Sequence, residues 1–590
     1  MLAVPLVVAL VALRRPHWYP LMDLALVEMR VRDIGTASSP LIGLIGRFRV
    51  GDQNAFHPGP LEFYGLWPVY RVFGSSAYAL LVASVAMHVL AIGVLLWIAS
   101  RRGRLGLLLG VGLILVLLAR AYGANVLTEP WTPYLPLLWW LVFLFAVWSV
   151  ICGDLPLLPV AAAAGSLCVQ SHASYIAPVA TLALFALAAG CYSAIRGGGR
   201  RSRRTLIFWV AIAAGTTLTL WIPPIVDELG DGTGNLTLLW QFATDPSSRP
   251  IGLMRGGEQL LLHLNPVRLL EGEIWGMFSG AGLEPTGSVV PGLVMLVIWA
   301  AAAVASPWMR DNRLSALHIV VAASLLSAAF AMSRIVGFVW YWVVLWAWGV
   351  TATMLLATGW TAALAASRAR REHGRRIRGP ALLLAAASMA VVAGVWAAEA
   401  ASVEVVTRPS RIVGRLLPPT LEALDADAAP GAGREGRYQV IWSDPVNLGV
   451  HGYSLVNELE RHGFDAGTPE AWAPQVGEHR VVPNKEATAY LHLAGGTFIE
   501  SVRSQPGAEQ VAYADIRTVE DRVEYERLRE ELTAMLTEAG RTDLVPLVDE
   551  NLWAIRDDPH IGKRAAGLMK RMIDIGVPYA LIILPAGLGS

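Results

Sequence analysis

The sequence predicts a polytopic α-helical membrane protein with about 11 transmembrane helices, followed by a C-terminal α/β domain. Three observations support this fold class. Of the 590 residues, 55% are hydrophobic and only 16% are charged, which is too apolar for a soluble protein. Many apolar runs approach the roughly 20 residues that cross a bilayer as a helix. From about Ala401 onwards, the composition becomes that of a soluble domain.

Composition also excludes several classes of protein. The net charge is +1, so no nucleic-acid partner is indicated. Cys152, Cys168 and Cys191 all lie in apolar segments, which indicates neither a disulfide scaffold nor a cysteine-type zinc site. Only three of the 47 basic residues are lysines. This preference for arginine is typical of a GC-rich genome and would suit an actinobacterium.

The first apolar segment, Met1–Leu13, would form a helix of about 20 Å, against roughly 30 Å of hydrocarbon. It has no basic n-region and no small-residue cleavage site before Arg14, so we interpret it as a first membrane helix rather than a signal peptide. A misassigned start codon would explain why it is short. The later spans are expected near 77–99, 105–121, 134–152, 156–170, 176–195, 206–222, 288–306, 315–332, 336–361 and 380–398.

Arginine clusters predict the orientation of these spans. The clusters Arg101/Arg102/Arg104, Arg196–Arg204, Arg310/Arg313 and Arg368–Arg378 share one side if every span crosses once. By the positive-inside rule, that side is the cytoplasm. The other side then receives the loops 14–76 and 223–287, the connection 122–133, the turn 171–175 and everything after Glu399. We therefore expect a membrane domain over 1–400 and an extracytoplasmic domain over 401–590.

Shorter elements follow from local patterns. The loop 223–287 is long enough to be a lid or binding loop, with interfacial helices expected near 236–243 and 256–270. In the C-terminal domain, strands are expected over Arg437–Trp442 and Tyr579–Leu584, and an amphipathic helix over Tyr453–His462. A second helix is expected over Val519–Ala539, with Thr518 as N-cap, Asp521 near the capping-box position and Gly540 as the stop.

The loop 14–76 carries the most informative chemistry. Its charged residues include Asp23, Glu28, Asp33, Arg30, Arg32, Arg47 and Arg49. Ionisable groups beside a bilayer are costly, so such a cluster indicates a functional site, whereas the alternative is an ordinary solvated loop. Its arginines break the positive-inside rule, which makes an anionic lipid phosphate their expected partner. The stiff turn His57-Pro58-Gly59-Pro60 precedes an aromatic helix expected over Leu61–Phe73.

This pattern resembles the first extracytoplasmic loop of GT-C glycosyltransferases, multi-pass enzymes that take a sugar from a polyprenyl phosphate. The resemblance is to the bacterial group that contains lipid A aminoarabinose transferases and actinobacterial arabinofuranosyl- and mannosyltransferases. It implies that Asp23, the first acidic residue after the first span, is the catalytic base. The family often has adjacent acids there, whereas here Leu24 follows. Glu28 either shares the catalytic work or pairs with Arg32 at i, i+4 spacing.

Moving a sugar to a hydroxyl requires a base for the acceptor proton and positive charge for the departing phosphate. Either arginines or a divalent cation suit the second role. The predicted phosphate partners are Arg30, Arg32, Arg47, Arg49 and Arg334. Arg334 could alternatively be a snorkelling arginine. His57 is expected to line the site by resemblance, or else to cap the following helix. His172 and Tyr175, in QSHASY, resemble a polar turn of the same group, although a lone histidine is more often structural.

The sequence therefore predicts a membrane-bound glycosyltransferase acting on an extracytoplasmic cell-envelope glycan or lipid, with arabinofuranose or mannose as the sugar. Its expected partners are the bilayer, the polyprenyl-phosphate-linked donor and the acceptor. The chief alternative is a transporter or flippase of a lipid-linked sugar. Transporters usually bind at mid-membrane within internal repeats, whereas here the charges lie in the loops. A third reading is a non-catalytic assembly scaffold. Arg120 and Glu129 frame a short outer loop and could simply be a solvated pair.

Overall fold

This computed structural model describes residues 1–196, 200–246, 249–271, 284–372, 378–426, 433–446, 449–556 and 562–586. The chain divides into two compact units. Unit 1 comprises Met1–Arg14 and Ser39–Glu404, and unit 2 comprises Arg15–Ser38 and Val405–Ser590. The division after Glu404 lies close to the boundary expected at residue 400. The first part of the loop 14–76, expected in the membrane domain, belongs to unit 2.

The helices of the first half are α1 (Val4–Ala12), α2 (Asp23–Asp33), α3 (Leu61–Val72), α4 (Ala77–Arg102), α5 (Leu105–Thr128), α6 (Pro136–Ile151), α7 (Leu158–Ser171), α8 (Ile176–Arg196), α9 (Arg200–Leu220), α10 (Ile222–Glu228), α11 (Asn235–Thr244), α12 (Gly252–His263) and α13 (Pro266–Glu271). Those of the second half are α14 (Val290–Ala305), α15 (Asn312–Ser333), α16 (Tyr341–Val344), α17 (Ala347–Glu372), α18 (Arg378–Ala400), α19 (Arg408–Asp425), α20 (Val450–Arg461), α21 (Ala473–Val476), α22 (Phe498–Arg503), α23 (Val519–Glu538), α24 (Leu547–Glu550), α25 (Leu552–Arg556) and α26 (Lys563–Ile575). The strands are β1 (Ile45–Val50), β2 (Gln53–Phe56), β3 (Arg437–Ser443), β4 (Asp465–Gly467), β5 (Ala489–Gly495), β6 (Glu509–Ala514) and β7 (Tyr579–Pro585).

Unit 1 is a bundle of apolar helices, as expected of a multi-pass membrane protein. Within the described ranges, seven helices are long and apolar enough to cross a membrane, or eight if the pair Arg203–Leu220 and Ile222–Glu228, bent by 57°, is one span. Two apolar helices, Pro136–Ile151 and Leu155–Ser171, are shorter. The expected total of about 11 spans stays a prediction. The membrane-helix class is confirmed.

The span predicted over 336–361 is wrong at its beginning. The long helix α17 begins at Ala347, after the separate short helix α16. Gly337 has a φ of 76°, a left-handed conformation that a right-handed helix through this position could not contain. The segment before α17 is therefore an irregular aromatic loop rather than part of the span.

The centre of unit 1 is α6, which is buried along nearly its whole length. A helix that is apolar on all sides belongs in the interior of a bundle. Because lipid is as apolar as leucine, close packing rather than burial from water holds such helices together. Small residues make this possible: a Cβ on Gly349 would lie 2.7 Å from Leu141 Cδ1 of α6. Trp140 and Trp148, both fully buried, supply large packing surfaces on the same helix.

One end of the bundle is rich in arginine. The Asp154 carboxylate, just before α7, accepts from Arg101 at 2.8 Å and from Arg102 at 2.6 Å. Arg313 pairs with Asp311 at 3.0 Å and donates to the Arg102 carbonyl at 2.8 Å. These bonds join the ends of α4 and α15. Parts of the predicted clusters Arg196–Arg204 and Arg368–Arg378 lie outside the described residues.

The loop helices largely follow the predictions. The helices α3 and α11 match the ranges expected for them. The helix expected over 256–270 is instead two helices, α12 and α13. Pro266 explains the break, because proline lacks the backbone N–H that would continue α12 and is favoured at the first position of a new helix. The β1–β2 hairpin was not predicted.

Unit 2 contains a five-stranded sheet in the order β4-β3-β5-β7-β6. Strands β3, β4 and β5 are parallel, and β7 is antiparallel to both β5 and β6. Both predicted strands are confirmed, but β7 lies inside the sheet, where all of it except Pro585 is buried. The helix α20 begins three residues before the predicted Tyr453. The helix α23 has the predicted capping box between Thr518 and Asp521.

Candidate functional site

The predicted site residues divide between the two units. Asp23, Glu28, Arg30 and Arg32 lie on α2 in unit 2. Arg47, Arg49, His57, His172, Tyr175 and Arg334 lie in unit 1. Each group is therefore described within its own unit.

In unit 1, the polar loops meet at one end of the helices. The His57 and His172 rings lie 4.6 Å apart between centroids, and the Gly59 N–H donates to the Gln170 carbonyl at 3.3 Å. His172 follows α7, whereas Asp154 precedes it. The histidines and the arginine-rich cluster are thus at opposite ends of α7. We call the histidine-bearing side the polar end of unit 1.

His57 fixes the turn between α7 and α8. It is 9% exposed, and its Nδ1 accepts a hydrogen bond from the Ala173 N–H at 3.3 Å. Burial lowers the pKa of His57 to about 4, and the positive charge of Arg47 acts in the same direction. The ring is therefore neutral near pH 7 and can accept this bond. Pro60, not His57, is the N-cap of α3, so the capping alternative is wrong.

The arginines of unit 1 are accessible at this end. Both terminal nitrogens of Arg47 donate to the Phe338 carbonyl, at 3.2 and 3.3 Å, while the guanidinium lies 3.9 Å from the centroid of the Trp340 ring. Arg334 donates to the Ala243 carbonyl at 3.0 Å and is exposed. Arg49 is exposed on β1, opposite Asn54. All three guanidinium groups could receive a phosphate.

Tyr175 lies elsewhere than the prediction implied. It is 1% exposed, and its ring packs 5.7 Å from Trp140 and 5.9 Å from Trp346 between centroids. This places Tyr175 in the aromatic core beneath the turn. Its side chain supports the turn that carries His172.

Sequence reasoning undervalued Glu129, which is half-buried directly after α5. Burial raises the pKa of Glu129 to about 7. The expected pair with Arg120 does not form, because Arg120 binds Glu399 at 2.6 Å and the Leu270 carbonyl at 2.7 Å. Within the described part of the chain, the Glu129 carboxyl has no hydrogen-bond or ion-pair partner. The useful signal was an acid in a short apolar connection, where burial is costly.

Tyrosines and tryptophans connect Glu129 with Arg47. The Tyr134 and Tyr341 hydroxyls lie 2.5 Å apart, close enough to Glu129 for its charge to act on both. The Trp342 ring is 5.0 Å from that of Tyr341 and 4.8 Å from that of Trp340, on which Arg47 rests. Aromatic side chains of this kind are typical of the headgroup layer. The polar end therefore combines a cation, an acid and an aromatic belt.

The acids that begin the loop 223–287 have a structural role. Asp227 accepts from the Asn235 N–H at 3.0 Å, and Glu228 accepts from the Leu236 N–H at 2.9 Å. These are the first N–H groups of α11, which have no partner inside the helix. Asn235 in turn accepts from the Phe56 N–H at 2.8 Å. The pair thus caps α11 and positions the segment before His57.

In unit 2, charged residues dock α2 onto α20. Glu28 is fully buried, accepts from Asn457 Nδ2 at 2.9 Å and pairs with Arg461 at 2.5 Å. Arg32 pairs with Glu460 at 3.0 Å and donates to the Asn457 carbonyl at 3.2 Å. Of the two roles left open for Glu28, the contacts favour an ion-pair role, with Arg461 as the partner.

The C-terminal end of α2 is held in the same way. Asp33 pairs with Arg480 at 2.7 Å, and Arg480 also pairs with Glu460 at 2.8 Å. Although burial opposes it, hydrogen bonds from His479 and Arg480 hold the pKa of Asp33 below its usual value. Arg30 donates to the Gln475 carbonyl at 3.3 Å. The charges of α2 after its first turn are thus engaged within unit 2.

Asp23 occupies the first position of α2. It is half-buried and follows Met22, whose φ of 44° turns the chain sharply into the helix. A carboxylate at a helix N-terminus is stabilised by the helix dipole. Burial raises the pKa of the neighbouring Tyr453, and the charge of Asp23 adds to this effect. Among the described residues, no group of three or more His, Cys, Asp or Glu side chains could hold a metal ion.

No protein-family model matches the sequence, and no curated protein matches it. Among solved structures, the chain is similar to ArnT from Cupriavidus metallidurans bound to undecaprenyl phosphate, with a TM-score of 0.48 and 14% identity over 86% of this chain and 95% of that chain. The apo state of that ArnT gives a TM-score of 0.39 and 12% identity, with the same coverage of 86% and 95%.

A second similar structure is the archaeal oligosaccharyltransferase AglB from Archaeoglobus fulgidus, in complex with an inhibitory peptide and a dolichol-phosphate. Its TM-score is 0.37 and its identity 13%, over 83% of this chain and 69% of that chain. These structures are at most 14% identical to the chain, so the resemblance found in the first loop stays a prediction.

Proposed function

We propose that this chain is a GT-C type glycosyltransferase that moves a sugar from a polyprenyl phosphate to an extracytoplasmic glycan or lipid of the cell envelope. The polar end of unit 1 carries this proposal. There, the exposed Arg47 and Arg334 lie at one end of the apolar helix bundle. Trp340 and the Glu129 carboxyl belong to the same end. A cation against an aromatic belt suits the phosphate of a lipid whose tail lies among apolar helices.

The proposed reaction is a single displacement. Asp23 removes the proton from the acceptor hydroxyl, and the resulting oxygen forms a bond to the anomeric carbon. The bond between that carbon and the phosphate oxygen breaks, and polyprenyl phosphate leaves with the electron pair. Arg47 and Arg334 balance its charge. Arg32 is 14% exposed and engaged by Glu460, so we assign it to the docking of α2 instead.

Glu129 is the second carboxyl of the proposal. Its side chain, which has no partner among the described residues, lies beside the Tyr134–Tyr341 pair, where carboxylate and hydroxyl groups together could hydrogen-bond sugar hydroxyls. Arabinofuranose and mannose are the proposed sugars, in keeping with the bacterial group that the first loop resembles. The acceptor side is proposed to be extracytoplasmic because the arginine-rich end of unit 1 would face the cytoplasm.

The test uses the purified full-length chain in lipid nanodiscs. Radiolabelled decaprenyl-phosphate arabinose and decaprenyl-phosphate mannose are supplied with a cell-envelope glycan acceptor. Wild-type protein should transfer label from one of these donors, and Asp23→Asn should lower kcat by about 100-fold or more, the usual size of a general-base contribution. The matched control is Asp52→Asn, an exposed acid in the β1–β2 turn, which should retain full activity. Undiminished transfer by Asp23→Asn would reject Asp23 as the base.

A further inference from the structure

We propose that Trp442, Tyr453 and Trp472 of unit 2 form a binding platform for a neutral carbohydrate ring. Resting on the proposed function, we further assign this platform to the acceptor glycan rather than to the lipid-linked donor. Aromatic faces with a few convergent polar groups are what ligand sites of this kind present. The geometry, the free hydrogen-bonding groups and the position next to Asp23 each support the proposal.

The three rings are in mutual contact. The Trp442 centroid lies 5.2 Å from that of Tyr453 and 5.0 Å from that of Trp472. Tyr453 and Trp472 are 6.0 Å apart and nearly perpendicular, at 86°. Tyr453 is only 6% exposed, whereas both tryptophans are half-buried, so part of each indole reaches the surface. The two indoles therefore form an aromatic surface that packs on the buried Tyr453 ring.

Two glycines hold Trp442 in place. A Cβ on Gly449 would lie 2.0 Å from Trp442 Nε1, and a Cβ on Gly452 would lie 2.2 Å from its Cε3. Only glycine at both positions lets the beginning of α20 lie directly against the indole. Trp442 is the last residue but one of β3 and pairs with Leu493, while Trp472 ends a single 3-10 turn. The platform is thus rigid before any ligand arrives, which reduces the entropy cost of binding.

The polar tips of the three rings are two indole N–H groups and one hydroxyl. Within the described residues, the indole N–H groups of Trp442 and Trp472 and the Tyr453 hydroxyl have no hydrogen-bond partner, and none is sealed from solvent. Other rings of unit 2 do have partners: the Trp553 N–H donates to the Val446 carbonyl at 2.5 Å, and the Tyr579 hydroxyl to Asp444 at 2.8 Å. Three free donors around an aromatic face suit a ligand that has hydroxyls and an apolar ring face.

The docking of α2 places Asp23 beside this platform. Glu28 contacts Asn457 and Arg461, and Arg32 contacts Asn457 and Glu460, so α2 packs along the second half of α20. Tyr453 lies one turn before Asn457 on the same face of α20. The charge of Asp23 acts on Tyr453, so the beginning of α2 lies near that tyrosine. A carboxylate repels the phosphate of a donor but can accept a hydrogen bond from a sugar hydroxyl.

Binding is measured first, without any transfer. The full-length protein in nanodiscs is titrated with an arabinofuranosyl hexasaccharide and a mannosyl hexasaccharide, with saturation-transfer NMR and calorimetry as readouts. One of the two should bind wild type. Trp472→Leu should weaken its Kd by about 10-fold or more, and Tyr453→Phe, which removes only the hydroxyl, by about 3-fold. The control is Tyr513→Leu, a half-exposed aromatic residue on β6 at the far edge of the same sheet, which should bind normally.

The outcomes separate this proposal from the proposed function. If wild type binds neither hexasaccharide, or if both platform variants bind as wild type does, the platform is rejected even where transfer is observed. If the chain binds a hexasaccharide through these residues but transfers no sugar, the platform stands and the proposed function fails. Where both hold, Tyr453→Phe should raise the KM for acceptor and leave the KM for donor unchanged. Loss of binding by Trp472→Leu supports the platform only if the Tm of the variant equals that of wild type. If the Tm falls, the Kd of Tyr453→Phe decides whether the platform is rejected.

Discussion

At the scale of single residues, the protonation of Glu129 gives the sharpest prediction. Burial raises the pKa of its carboxyl to about 7 from an ordinary value of 4.5. A carboxyl with a raised pKa is neutral below that pH and charged above it. Because the proposed role requires the carboxylate, kcat/KM should rise as pH increases through about 7. In Glu129→Gln this rising limb of the pH profile should disappear, and kcat/KM above pH 7 should fall about 10-fold or more.

The measurement is a pH profile of donor kcat/KM for wild type and Glu129→Gln. Arg120→Gln, which removes the partner of Glu399 nearby, serves as a control that should keep the limb. A limb near pH 7 that persists in Glu129→Gln would belong to another group. His57 is unsuited to produce it, because burial lowers the pKa of His57 to about 4.

The contacts and roles of single residues could be predicted only in part from the sequence. The contacts of Arg47 with Phe338, and of Glu28 with Asn457, join residues 291 and 429 positions apart, and no local pattern indicates such pairs. Glu28 was considered with Arg32 because helical spacing makes that pair visible in the sequence. The role of Glu129 could not be predicted, because it depends on Arg120 pairing with Glu399 instead. The placement of charge near the membrane was visible, but its pairing was not.

At the scale of elements, the docking of α2 on α20 is expected to be a large contribution to the stability of unit 2. Removing one partner of a buried ion pair leaves the other uncompensated, which costs roughly 3 kcal/mol or more. Glu28→Gln should therefore lower the Tm of unit 2. The Tm is measured by thermal unfolding of the full chain. The exposed i, i+3 pair of Arg503 and Glu500 supplies the control, because Glu500→Gln should change stability by less than about 1 kcal/mol.

A double-mutant cycle separates the ion pair from other effects. If the pair with Arg461 explains the loss, Glu28→Gln and Arg461→Met should not be additive. Additive losses, or a Tm unchanged by Glu28→Gln, would show that α2 is held by other contacts. In either case the folded Glu28→Gln protein should retain more activity than Asp23→Asn, since Asp23 is the proposed base.

The elements that were predicted well have strong local signals. The capping box at Thr518 and the alternation before Trp442 specify α23 and β3 without distant partners. The β1–β2 hairpin has strands of six and four residues, too short to be stable alone, and depends on the contact of Phe48 with Phe242 at 5.2 Å. Its residues were interpreted only as a run of charges. Proline at 266 was the available sign that the interfacial helix is divided.

At the scale of the whole molecule, the proposed orientation can be tested by labelling. In a background with Cys152, Cys168 and Cys191 replaced by alanine, single cysteines are introduced by Asp52→Cys, Glu520→Cys and Arg104→Cys, all at exposed positions. A membrane-impermeant thiol reagent added to intact cells should label the first two and not the third. Labelling of Arg104→Cys alone would reverse the orientation, and with it the side on which transfer is proposed.

The most direct measurement of the central claim is the release of free polyprenyl phosphate by purified wild-type protein supplied with decaprenyl-phosphate sugar and acceptor. Chromatography should recover polyprenyl phosphate and glycosylated acceptor in equal amounts, because each displacement breaks one bond to phosphate and forms one glycosidic bond. The contradicting result is an intact lipid-linked sugar that crosses between leaflets of a vesicle while no polyprenyl phosphate is released.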